Sequence, residues 1–147
     1  MIKTKYAATA FDGEGARIYG ARWNSPGTRV AYASSNSALA VLEVLVHLRN
    51  ASVLPAYSLV AATLPDAAVE TFPVPALPKN WNASPVPPEI QGIGDEWIRS
   101  RRSLALEVPS ALVQGGSNIL VNPAHPDFAQ CSVDLVEPFG FYPRLLG

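Results

Sequence analysis

Seven of the fourteen prolines in this 147-residue chain fall between positions 65 and 93, at 65, 73, 75, 78, 85, 87 and 88. Proline fixes φ and has no backbone N–H, so a stretch this rich in it is expected to be a long irregular segment. It is too apolar for a free linker. Loops of this length in compact domains serve as lids or partner surfaces. The regular elements must be built from the sequence on either side.

Ahead of that segment, residues 12 to 28 read as loop, with Gly13, Gly15, Gly20 and Gly27, and Thr28 to Ser34 alternates as a strand. SNSALAVLEVLVHLRN then reads as a helix, started by Ser35 or Asn36 and ended by Asn50. It is apolar nearly all round and is expected to be buried. Ala56 to Leu64 reads as a strand bounded by Pro55 and Pro65. After the segment, Asp95 is positioned to cap a short helix carrying Trp97 to Arg101. Strands are expected at 103–110, stopped by Pro109, at 118–122, ended by Pro123, and at 133–137. The tail FGFYPRLL is expected to dock on the body or on a partner. No repeat is visible, and helices and strands do not alternate regularly. The expected class is α+β rather than a doubly wound sheet, as one compact domain over 1–147 with a mixed β-sheet core and flanking helices.

Composition narrows function. Charged residues make up 16% of the chain, low for a soluble protein, which points to a surface partly covered in a homodimer or hetero-oligomer. A formal net charge of −1 gives no basic face for direct nucleic-acid binding. Arg99, Arg101 and Arg102 form at most a local patch and read as a solvated helix end. Cys131 is the only cysteine, and His47 and His125 are the only histidines, so no disulfide and no metal centre is expected. In QCSVDLVE, Cys131 reads as a buried, inert strand thiol. No signal peptide and no run of about 20 apolar residues is present, so a cytoplasmic protein without membrane contact is expected.

Glu43 is the anomaly. It stands within ALAVLEVLVHL, and burying a lone carboxylate is costly unless it is paired or protonated. On helical spacing it shares a face with Ala40, small enough to leave room for a ligand, and with His47. It serves either a structural ion pair with an arginine or a reaction. Arg22, 21 residues upstream in GARWNSPGTRVAYAS, is the partner on offer. Its fork suits phosphate or carboxylate, and the glycine turns around it let a ligand approach the backbone. Tyr32 either belongs to the core or offers a ring and a hydroxyl to a ligand. Trp23 reads as core. In EVPSALVQGGSNILVNP, Ser110 caps a turn or contacts a ligand, and Asn118 and Asn122 flank the next strand. No G-x-S-x-G elbow surrounds Ser110, which argues against a hydrolase nucleophile.

GARWNSPGTRVAYAS, ALAVLEVLVHL, GDEWIRSRRSLALEVPSALV and SNILVNPAHPDF together resemble the RES domain family, from about residue 9 to 140. The family's arginine, glutamate and serine fall on Arg22, Glu43 and Ser110, and its tyrosine on Tyr32. The resemblance implies a toxin of a bacterial type II toxin–antitoxin pair with a fold like the ADP-ribosyltransferases. It also implies NAD⁺ as substrate, with no metal, and an Xre-like helix-turn-helix antitoxin covering the active-site cleft. Gly20-Ala21-Arg22-Trp23 replaces the family's usual GGRW. Many members open on a strand with a Tyr-Arg or Trp-Arg pair, for which Met1-Ile2-Lys3 leaves little room.

The expected chemistry is cleavage of the nicotinamide–ribose bond through an oxocarbenium-like state, arresting growth by NAD⁺ depletion, by ADP-ribosylation of a host protein, or by both. Glu43 would stabilise the ribosyl cation, Arg22 grip the diphosphate, Tyr32 meet the nicotinamide ribose end, and Ser110 and Asn118 position the dinucleotide. The rival is a non-enzymatic nucleotide-binding module that holds an antitoxin. A ribonuclease is disfavoured, because neither a basic surface nor a histidine pair is evident.

Overall fold

A computed structural model describes residues 1–48 and 56–146. In chain order the elements are β1 (Ile2–Lys3), α1 (Glu14–Tyr19), β2 (Ala31–Ser34), α2 (Ser37–His47), β3 (Tyr57–Thr63), β4 (Val69–Thr71), α3 (Pro88–Ser100), β5 (Ala105–Pro109), β6 (Ser117–Val121) and β7 (Ser132–Pro138). They form two sheets. The larger is mixed, in the order β2-β6-β5-β4, antiparallel except for the parallel pair β4–β5. The smaller, β1-β3-β7, is antiparallel.

The larger sheet is covered on both faces, and strand alternation divides its side chains between two cores. Leu106, Val108 and Leu120 pack with Trp23, Val30, Ile90 and Trp97 under α3. Ala31, Ala105 and Val121, with Leu104, pack on the other side against Phe11, Leu64, Val69 and Phe128. Trp23 is core, as expected, at 2% exposure.

Several expectations are corrected. The proline-rich stretch is not irregular throughout. Residues 69–71 pair with β5, and short 3-10 turns run at Asp66–Ala68 and Val74–Ala76. Pro88 opens α3 at a position where a helix needs no N–H donor. That helix is 13 residues long, so Asp95 lies inside it and caps nothing.

The helix around Glu43 is not buried all round. Only Leu39, Ala40 and Val41 are buried, while Leu42 and Val46 are 43% and 56% exposed. α2 follows the edge strand β2, so one side meets the body and the other faces outward. Asn36 caps it, its side chain accepting from the Leu39 amide at 2.9 Å. Asn50 and Pro55 lie outside the described residues.

Ile2–Lys3 does pair as a strand with β3, although it lacks the aromatic–arginine pair. Cys131 precedes β7 and is half-buried; burial, then Asp134, pushes its thiol up. In the tail, the Phe139 amide donates to Tyr57 O at 3.0 Å and Phe139 meets Phe141 edge-on, while Tyr142 and Leu145 stay exposed. Arg99 and Arg101 are exposed at the end of α3, and Arg102 pairs with Glu70 at 2.8 Å. No helix among the described residues is long and apolar enough to cross a membrane.

Candidate active site

The loop carrying Arg22 begins where α1 ends. Gly20 takes φ +69°, and a Cβ there would stand 2.9 Å from Pro26 Cδ. Asn24 organises the rest of the loop. It is fully buried, and its amide nitrogen donates to the carbonyls of Ala16, Ser25 and Thr28 at 2.9, 3.1 and 3.0 Å. Its Oδ1 accepts the Tyr32 hydroxyl at 2.8 Å, and that hydroxyl accepts the Trp23 amide at 3.1 Å. The loop is thus locked to β2 through one phenol.

Helix α3 fixes the loop from the other side. Gln91 donates to the carbonyls of Ala21 and Asn24, and Asp95 accepts the Ser25 amide at 3.0 Å. A Cβ on Gly94 would lie 1.7 Å from Trp23 O, so only glycine lets the helix pass this close.

Tyr32 is 37% exposed as a residue, yet its hydroxyl is buried in these bonds. That burial raises its pKa; the Trp23 amide opposes the rise, Asp95 adds to it, and Arg22 opposes it. Tyr32 is therefore neither plain core nor a free ligand group, because its hydroxyl is engaged by the loop.

Glu43 projects from α2 to the end of β6. Its Oε1 accepts from the Asn118 amide at 2.7 Å, and Asn118 Oδ1 accepts the Ser34 hydroxyl at 2.9 Å. Ser34 and Asn118 are register partners of β2 and β6. Arg22 Nη1 donates to the carbonyls of Trp81 and Ala83 at 2.8 and 3.1 Å, and its remaining donors make no hydrogen bond within the described residues. Burial lowers the Arg22 pKa, opposed by the charge of Glu43 and then by Tyr32. The two charged groups feel each other but do not touch. Among the described residues the ion pairs within 4.0 Å are Arg17–Glu14, Arg29–Glu14, Arg102–Glu70 and His125–Asp127. The structure thus brings Glu43, Asn118 and Ser34 into contact, and Tyr32, two residues before Ser34 on β2, ties the loop of Arg22 to the same strand.

Ser110 stands apart. It is buried just past β5, and its Oγ accepts the amides of Leu112 and Val113 at 3.1 and 3.2 Å. Asn122 is also structural, its Oδ1 accepting the Ala124 amide at 3.0 Å. His125 bonds the Arg101 carbonyl at 3.0 Å, and no cluster of metal-ligating side chains occurs among the described residues.

Two cavities flank the group. The larger, about 650 Å³, lies between the sheets against Ile119, Val121 and Leu59, and is bordered at the edge strand by Tyr32, Ser34 and Ala40. The smaller, about 370 Å³, lies beside Ser110 and Trp81. Arg22 and Glu43 line neither, although Arg22 holds the carbonyl of Trp81, which lines the smaller.

The family model described as RES domain matches residues 2–141. The chain belongs to the RES domain family. A protein of Yersinia enterocolitica named Toxin Res is 38% identical over 147 residues, which is 99% of this chain and 96% of the relative. A Sphingobium protein named Prs ADP-ribosylating toxin is 37% identical, over 96% of this chain and 89% of its own length. A chain in the crystal structure of the Mycobacterium tuberculosis MbcT–MbcA toxin–antitoxin complex superposes with a TM-score of 0.73 at 23% identity, covering 88% of this chain and 77% of that chain. The α+β class and the ADP-ribosyltransferase-like fold expected from the sequence agree with these likenesses.

Asn24, Gln91, Gly94 and Ser34 join the site only through the structure. Of these, Asn24 alone carries a signal in the sequence, a lone amide between an aromatic and a serine in a turn-rich loop. Gln91 and Ser34 act through contacts 67 to 84 residues away in the chain, and Gly94 through the Trp23 carbonyl.

Proposed function

We propose that this RES domain is the toxin of a toxin–antitoxin pair and acts on NAD⁺, breaking the nicotinamide–ribose bond. The observation carrying the reading is the state of its two charged groups. Glu43 is oriented by a neutral amide rather than neutralised by arginine, and Arg22 is partly desolvated with donors to spare. An Arg22–Glu43 ion pair would have favoured a structural role for both. The relatives named Toxin Res and Prs ADP-ribosylating toxin support the same class.

Nicotinamide leaves as a neutral base from a cationic precursor, so no general acid is needed. Glu43 accepts from a ribose hydroxyl and stabilises the developing oxocarbenium charge. Arg22 directs its unspent donors to the diphosphate. Tyr32 presents its exposed ring at the nicotinamide ribose end, while its hydroxyl holds the Arg22 loop. Asn118 keeps the carboxylate aimed. Water or a protein side chain then attacks the ribosyl carbon, giving free ADP-ribose or a modified target. A helix-turn-helix antitoxin of Xre type would cover this cleft.

The test is to follow cellular NAD⁺ after inducing the chain without an antitoxin, beside Glu43→Gln. Induction should deplete NAD⁺, and the variant should lower turnover by about 100-fold or more with little loss of binding. Undiminished turnover in Glu43→Gln removes the role given to the carboxylate. Labelled NAD⁺ with lysate separates the outcomes, free ADP-ribose marking hydrolysis and a labelled protein band marking transfer.

A further inference from the structure

We propose that the slot between the proline-rich segment and the end of β5 is a purine subsite, which seats the adenine end of the dinucleotide. The inference rests on the NAD⁺ reading above and adds a second, separate site to it. The slot has a volume of about 370 Å³ and is walled by Phe72, Val74 and Trp81 on one side and by the region around Ser110 and Gln114 on the other. Small-molecule sites are typically of this scale, mostly apolar with a few placed polar groups.

Its chemistry suits a flat, uncharged heteroaromatic ring. The Trp81 ring lies on core residue Trp23, with centroids 6.2 Å apart and planes 29° apart, so it is a fixed wall rather than a mobile side chain. Val74, on the same segment, is 53% exposed and forms an apolar rim. Ser110 Oγ accepts two backbone amides, and its own O–H makes no hydrogen bond among the described residues. That leaves one donor for a ring nitrogen. The Gln114 amide adds a donor and an acceptor. No lysine or arginine lines the slot, and Glu107 does, which disfavours a phosphate there.

Two independent paths join this slot to the reaction centre. Along the sheet, Ser34, Asn118 and Val108 stand in one row across β2, β6 and β5; Asn118 holds Glu43 and Val108 borders the slot. Three strands span roughly 10 Å, within reach of a dinucleotide. Along the loop, Arg22 grips the carbonyl of Trp81 itself. Ribose at Glu43, diphosphate at Arg22 and purine at Trp81 follow in the order of the substrate.

Kinetics on the purified chain with NAD⁺ and with nicotinamide mononucleotide test this, because the mononucleotide has the same scissile bond without the adenylate. Trp81→Ala should raise KM for NAD⁺ about tenfold, with kcat within about twofold and mononucleotide turnover unchanged. Trp81→Phe should restore the KM. Val74→Glu, a rim change that spares the core, should behave like Trp81→Ala, and AMP should compete with NAD⁺ in the wild type but not in Val74→Glu. An unchanged KM in a folded Trp81→Ala or Val74→Glu protein, or equal losses on both substrates, overturns the subsite and leaves the NAD⁺ reading standing. A wild type that consumes neither substrate overturns the NAD⁺ reading instead. The slot is then judged by AMP alone: quenching of tryptophan fluorescence that Val74→Glu abolishes supports it, and no quenching rejects it.

Discussion

The Asn118 side-chain amide donates to Glu43 Oε1 across 2.7 Å, while its own carbonyl oxygen accepts from Ser34. A neutral residue thus sets the direction of a carboxylate without cancelling its charge. Asn118→Asp should reverse that arrangement by placing a second carboxylate beside Glu43. A hydrogen bond to a charged group contributes about 1.5–3 kcal/mol, so turnover should fall by roughly 10- to 100-fold while circular dichroism stays native. Ser34→Ala, one bond further out, should lose less. Steady-state NAD⁺ consumption by both variants checks the order.

Asn24 should prove more important to stability than its place in a loop suggests. Asn24→Ala leaves the Thr28 carbonyl without its side-chain donor and the Tyr32 hydroxyl without its acceptor, while the Ala16 and Ser25 carbonyls keep the amides of Gly20 and Thr28. An unsatisfied buried group costs about 1–3 kcal/mol, so a combined loss of about 3 kcal/mol or more is expected. Urea unfolding of the variant measures it, and a loss under about 1 kcal/mol would mean that water replaces the amide.

Gly94→Ala should be among the most damaging single-methyl additions in the chain. The new Cβ would meet the Trp23 carbonyl, a backbone atom that cannot swing away. Overpacking costs typically about 1–3 kcal/mol and sometimes more, and here the upper end or outright misfolding is expected. Gly92→Ala, where a Cβ meets nothing within 4 Å, is the matched control. Thermal melts of the pair should diverge, with Gly92→Ala equal to or above wild type.

The Tyr32 phenol gives an alkaline signature. Burial raises its pKa in the folded protein above the ordinary value of 10.0, so the unfolded chain ionises first. Below pH 10 its contribution to stability is fully present; above that it drains away as pH rises toward the folded value. The other tyrosines also titrate there, so the comparison is with Tyr32→Phe. That variant should be less stable at neutral pH and should lose stability less steeply above pH 10. Parallel curves would show that the hydroxyl is not sequestered.

The sequence singled out candidate residues more readily than it showed the scaffold around them. Glu43 stands out because a carboxylate within ALAVLEVLVHL needs a reason, and Arg22 because glycines surround it. Strand alternation places β3, β5, β6 and β7 to within a few residues. The errors share a cause, since local pattern carries no information about distant contacts. Pro87 and Pro88 mask the start of α3, whose N-cap and first turn tolerate proline. Asp95 looks like a cap because Ser25, its partner, lies 70 residues away. The apolar run of α2 suggests full burial, yet a helix beside an edge strand has only one side to bury. Ser110 falls on a family site position, and the structure shows it shaping the turn after β5.

The two carbonyls held by Arg22 have a consequence for how a loss-of-function screen would read this protein. Cutting the guanidinium away removes the proposed anion grip and, in the same stroke, unties residues 81 and 83 from the loop. A silent Arg22→Ala strain would therefore report a collapsed wall and a missing charge together. Only Arg22→Lys, which keeps the cation but gathers its donors on one nitrogen and loses the fork, could tell an experimenter which loss silenced the cell.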